Sequence, residues 1–107
     1  MGDETVTLTN VLNYPNPFVN YTQFWFSHNR PFEPLEVQVQ ILTITGKLVK
    51  TINQTVVTDG FLSKEITWDG KDDFGDRIGK GVYIYKLTVK SNITNSKTEK
   101  IEKLVIL

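Results

Sequence analysis

The chain has 107 residues, with twelve basic against twelve acidic side chains, one histidine and no cysteine. A domain of this length buries most of its apolar surface unaided, and without cysteine there is no disulfide framework, thiolate nucleophile or Cys-based metal site. A formal charge of zero gives no summed field to favour nucleic acid or an anionic membrane, and no apolar run approaches the ~20 residues of a membrane-spanning helix.

The start, MGDETV, has no apolar signal core. Met1-Gly2 reads as a cloning remnant, and residues 3–107 are expected to form a single domain cut from a longer protein. Strand signals then follow at 6–12, 22–28, 35–44, 48–54, 61–68, 82–90 and 98–107. No stretch reads as a helix of useful length. Alternation at period two sets Val37, Val39 and Ile41, and likewise Tyr83, Tyr85, Leu87 and Val89, on a buried face. The opposite sets, Glu36/Gln38/Gln40 and Lys86/Thr88/Lys90, suit water. Turn formers separate the strands: Thr45-Gly46, Asp59-Gly60, Asp69-Gly70, Gly75-Asp76, Gly79 and Gly81. Seven short strands punctuated in this way predict an all-β, antiparallel β-sandwich. The polar stretch SNITNSKTEK, 91–100, is expected to be a long hairpin tip.

Between the first two strands, NYPNPF (13–18) carries prolines that cannot donate to a ladder, so it reads as a rigid, extended crossover. In the following TQFWF (22–26), Phe24 and Phe26 share the inner face and leave Trp25 pointing outward. Trp25 is then either an interface anchor or a ring packed under a loop. Trp68, just before a turn, is expected in the core.

Chemistry-bearing residues are few. His28, at a strand end, has no serine or cysteine nucleophile and no ligand set to join, so it reads as a rim residue rather than a general base. Asp69, Asp72, Asp73 and Asp76 lie close enough in WDGKDDFGD to offer carboxylate oxygens to calcium, but the spacing does not match an EF-hand loop. Asp and Gly interspersed in this way also make Asx-stabilised turns. No cofactor, small-molecule substrate or catalytic residue is expected. The sequons at Asn20, Asn53 and Asn92 read as incidental in an Asn/Thr-rich β protein. The last strand, with Lys103, Leu104, Val105, Ile106 and Leu107, offers an unpaired sheet edge or an apolar tail for partner binding, or closes the sandwich.

YPNPF (14–18), TQFWF (22–26), VQILTITGKLVKTI (39–52), ITWDGKDDFGDRIGKGVYIYKL (66–87) and EKLVIL (102–107), in that order, resemble the FlgD-type immunoglobulin-like domain found at the C-terminus of many secreted bacterial proteins. The resemblance covers nearly the whole chain and implies a seven-stranded antiparallel immunoglobulin-like sandwich. Its terminal K-L-V strand is similar to type IX secretion sorting domains of the Bacteroidetes. FSHNRP (26–31) and the doubled Asp of WDGKDDFGDRIGKGVYIYK further resemble the C-terminal domain of PorU-type sortases. That resemblance implies a non-catalytic domain directing secretion across the periplasm and anchoring its parent, a cysteine peptidase-like sortase, at the Gram-negative cell surface through the outer-membrane barrel PorV. The family's catalytic Cys and His lie in other domains. Two alternatives are a cleavable sorting domain of secreted cargo and an accessory carbohydrate-binding or structural module of a secreted hydrolase.

Overall fold

The alternation read from the sequence becomes two facing layers. The computed structural model describes residues 5–107; Met1 and Gly2, together with the expected domain start at residue 3, lie outside the described residues. Seven strands follow in order: β1 (Leu8–Tyr14), β2 (Thr22–His28), β3 (Leu35–Thr43), β4 (Leu48–Val56), β5 (Leu62–Trp68), β6 (Gly81–Ser91) and β7 (Ser96–Ile106). β1-β2-β5 form one antiparallel sheet and β4-β3-β6-β7 the other. β4 therefore stays beside β3, while the chain crosses to the opposite layer to make β5.

β2 and β3 bury one parity along their length, whereas irregular pairing switches the buried parity within β1, from Leu8 to Asn13, and within β5, from Ser63 to Ile66 and Trp68. Phe24, Phe26, Ile66 and Trp68 come from the first sheet and meet Val37, Val39, Ile41, Tyr85, Leu87, Val89, Leu104 and Ile106 from the second. Tyr83, at the same parity, is only half-buried because it lies at the end of the layer, where its hydroxyl donates to the Gly79 carbonyl (2.8 Å). Phe24 meets Tyr85 edge-on at 4.9 Å, and Phe18 meets Trp68 at 5.7 Å. The first pair ties the two sheets together within the core, and the second ties the crossover to the end of β5.

The hairpin tip is shorter than the polar composition implies. Ser91 pairs with Ser96, so only 92–95 turn, with Asn95 at φ 51°, and residues 97–100 already belong to β7. That stretch is polar because both of its faces reach solvent at the end of the sandwich, not because it leaves the ladder. At the opposite end, Gly46 takes φ 94° in the Thr43–Lys47 turn, a conformation that suits a residue without a Cβ.

Phe24→Ala or Tyr85→Ala is expected to cost ~3–5 kcal/mol in denaturant melts followed by circular dichroism. Tyr85→Phe separates the ring from its hydroxyl. That hydroxyl is buried with no partner among the described residues, and burial together with the Glu102 charge pushes its pKa far above the ordinary phenol value. Tyr85→Phe is therefore expected to be neutral or stabilising in the same melts.

Candidate functional site

The end of the last strand, from Lys103 on, is not an open edge. Leu104 and Ile106 are core residues, and the outward backbone beside them is taken by the proline crossover. The Phe18 N–H donates to the Val105 carbonyl (3.1 Å), and the Leu107 N–H donates to the Phe18 carbonyl (2.9 Å). Asn16 adds a fork: its Oδ1 accepts from the Val105 N–H (3.0 Å) and its Nδ2 donates to the Lys103 carbonyl (3.4 Å). Of the two readings left open for Lys103–Leu107, the backbone pairing corrects the unpaired edge and agrees with a strand that closes the sandwich. A proline-rich segment with few N–H groups of its own presents an amide side chain and one residue, Phe18, to pair with β7 in parallel. Lys103, Val105 and Leu107 keep side chains that reach solvent.

The crossover is shaped from below. Both the Tyr14–Pro15 and Asn16–Pro17 bonds are cis. The Asn13 amide donates to Thr22 Oγ1 (3.1 Å) and the Thr22 hydroxyl donates to the Pro15 carbonyl (2.8 Å), so both buried polar side chains are used to fix the loop.

The acidic loop does the corresponding job for β4. Asp72 Oδ1 accepts from the backbone N–H groups of Phe74 and Asp76 (both 2.9 Å), and Asp69 Oδ1 accepts from Lys71 (3.1 Å), which are Asx-type turn contacts. Asp73 faces away from these and toward β4. Its N–H donates to the Val49 carbonyl (3.3 Å), its Oδ1 accepts from the Thr51 N–H (3.3 Å), and Lys50 lies 3.6 Å from the same oxygen. Among the described residues no three acidic or imidazole groups converge as metal ligands. Arg77 ties this loop back to the crossover by donating to the carbonyls of Asp69 and Val19.

His28 is buried, not a rim residue. It shares the inner parity of Phe24 and Phe26, and the 58–60 segment covers it. Its Nδ1 accepts from the Arg30 N–H (3.0 Å), which leaves the proton on Nε2, facing Thr58 Oγ1 (2.8 Å); that hydroxyl donates onward to the Gly60 carbonyl (2.7 Å). Both nitrogens are used in structure.

Trp25 points outward from β2 as expected, but not alone. Tyr14 lies against it at 5.3 Å and Lys64 Nζ sits 4.1 Å from its ring centroid. Leu12, its cross-strand neighbour, is 42% exposed.

A second outer surface escaped the sequence reading. Cross-strand register on the four-stranded sheet aligns Leu48, Leu42, Ile84 and Lys103 in one row, Thr51, Gln40, Lys86 and Ile101 in the next, and Val82 with Val105 beyond. These sit on the outward parity, where Gln40 and Lys86 had predicted a wetted face. Ile44 is 67% exposed and Ile101 61%. The apolar half ends at Gln40 and Lys86. Past them the face is polar, with Glu36, Gln38, Asn53, Thr55, Thr88, Lys90, Lys97 and Glu99. The missed signal is local: Ile41-Leu42 and Val82–Tyr85 are apolar at consecutive positions, so both faces of the sheet are apolar there.

The FlgD Ig-like domain family model matches residues 31–95. This chain belongs to that family. No curated protein matches it. Among solved structures, dimeric latent PorU from Porphyromonas gingivalis is 29% identical with a TM-score of 0.79, over 99% of this chain and 10% of PorU. The FlgD Ig-like chain thus spans about a tenth of that relative. CopC from Methylosinus trichosporium OB3b, 17% identical with a TM-score of 0.56 over 94% of this chain and 92% of its own, shares the fold alone.

Two measurements test the site as built. Asn16→Ala is expected to speed amide exchange at Val105 while leaving Leu87 unchanged, and to cost about 1 kcal/mol per lost bond. For His28, burial holds the pKa below its ordinary 6.5, against an opposing pull from Glu33. The unfolded chain therefore binds the proton first as pH falls, so this contribution is complete above 6.5 and declines below it, down to the folded value. Thermal melts from pH 7.5 to pH 5 should show Tm falling in wild type and a shallower fall in His28→Gln.

Proposed function

We propose that this FlgD Ig-like domain is the non-catalytic sorting and docking domain of a PorU-like type IX secretion sortase. It would direct its parent protein to the cell surface and hold it at the outer membrane through the barrel PorV. The observation that supports this reading is the match to PorU, 29% identical over 99% of the chain. A likeness that runs end to end at this identity extends beyond the sandwich core to the crossover and the last strand. The chemistry agrees with a binding role, because the histidine and the acidic loop are both engaged in holding the fold. Trp25 and the outward side chains of Lys103, Val105 and Leu107 are contact candidates in this reading.

Purified chain is expected to retain purified PorV in a pull-down. Failure to bind, with the full-length sortase binding under the same conditions, rejects the domain as sufficient. Mass spectrometry of the mature surface protein is expected to find residues 96–107 retained; their loss identifies a cleavable cargo domain instead.

A further inference from the structure

The apolar half of the four-stranded sheet's outer face is used by none of the contacts described above. Leu42, Ile44, Ile84 and Ile101 line a shallow depression of about 420 Å³, bounded on one side by the 43–46 turn and on another by Lys86. Leu48 and Val82 extend the apolar surface and are 46% and 47% exposed. Lys103 stands next to Ile84 in the register, two residues from Ile101 on the same face of β7. The acidic residues of this sheet face, Glu36 and Glu99, lie in the polar half. The result is an apolar hollow with ammonium groups beside it and no carboxylate among its lining residues.

Three occupants are conceivable, and the charge and shape favour one. A second copy docked about a two-fold axis would gather Lys86 and Lys103 of both chains into one contact, where like charges oppose pairing. A bilayer is flat and leaves a hollow unfilled, and the patch carries no Trp or Tyr of the kind that settles at a membrane interface. A protein surface with an apolar projection flanked by carboxylates fills the hollow and pairs both lysines. We propose that this face, centred on Leu42, Ile84 and Ile101, is the surface through which the domain docks such a partner. Under the function proposed above, on which this inference rests, the partner is the outer-membrane barrel.

The test uses the full chain and purified PorV. Ile101→Glu changes an exposed side chain and leaves the core intact, and unchanged circular dichroism checks that. Binding is expected to weaken at least about tenfold in Ile101→Glu. Reversing both charges, Lys86→Glu with Lys103→Glu, should also weaken it and invert its salt dependence, added salt now strengthening binding by screening the new repulsion. If wild type binds and both variants bind equally well, or if Trp25→Ala alone abolishes binding, the docking face is wrong while the function stands. If wild type itself does not bind, the domain is rejected as a sufficient docking unit and the face falls with it. Flotation of wild type with phosphatidylglycerol vesicles, lost in Ile101→Glu, would overturn the proposal in favour of a membrane. Sedimentation as a dimer, lost in the same variant, would overturn it in favour of a second copy.

Discussion

The closure of β7 by the segment around Phe18 is the contact on which the rest of the sandwich depends. Phe18 bonds the last strand through its backbone on both sides while its ring packs under Trp68, so one residue joins the edge of one sheet to the core beneath the other. A sandwich with open flanks presents rows of unpaired backbone groups to any neighbouring chain. Here the crossover between β1 and β2 fills that role along 103–107, and the two prolines suit it because the segment has few N–H groups of its own to satisfy.

The other flank of the same sheet is treated alike with different chemistry. Asp73 reaches β4 from the loop after β5 and pairs with Val49 and Thr51, and Arg77 connects that loop to the crossover. The carboxylates of Asp69 and Asp72 are thereby turned to backbone within the loop, and that of Asp73 to β4. One of the segments that cap the four-stranded sheet is the β1–β2 connection within the three-stranded sheet, and the other is the β5–β6 connection between the two sheets. These contacts cover 103–107 of β7 and 49–51 of β4, while the outer face stays broad, and its division into an apolar and a polar half follows from register alone.

Membership of the FlgD Ig-like family accounts for the architecture, and an architecture by itself does not specify a function. Function is set by which side chains that frame presents. Trp25 lies on one sheet with Tyr14 and Lys64 against it, whereas Ile101 and Ile84 lie on the other beside lysines. An aromatic ring already in contact with a neighbour and a cation has less free surface to offer than aliphatic side chains lining a hollow. The two faces therefore differ in what they can bind, although both look equally exposed in outline.

By itself the sequence determined the seven strands in order, the inward parity of β2, β3 and β6 and most of the turns, because alternation and the Asp-Gly and Thr-Gly pairs act over a few residues. Phe24, Phe26, Val39 and Leu87 were legible as core for that reason. The sequence did not show where the β6–β7 turn begins or the parity switches within β1 and β5. Only the tertiary structure decided where the long-range pairings fell. Asn16 and Val105 are 89 residues apart and nothing in their local patterns refers to one another. The same holds for His28, buried because the 58–60 segment folds over it. It holds too for the row of Leu42, Ile84 and Lys103, an apolar surface that exists only once three strands are aligned. Period two assigns a side chain to a face, but it does not say which strands will share that face or what will cover it.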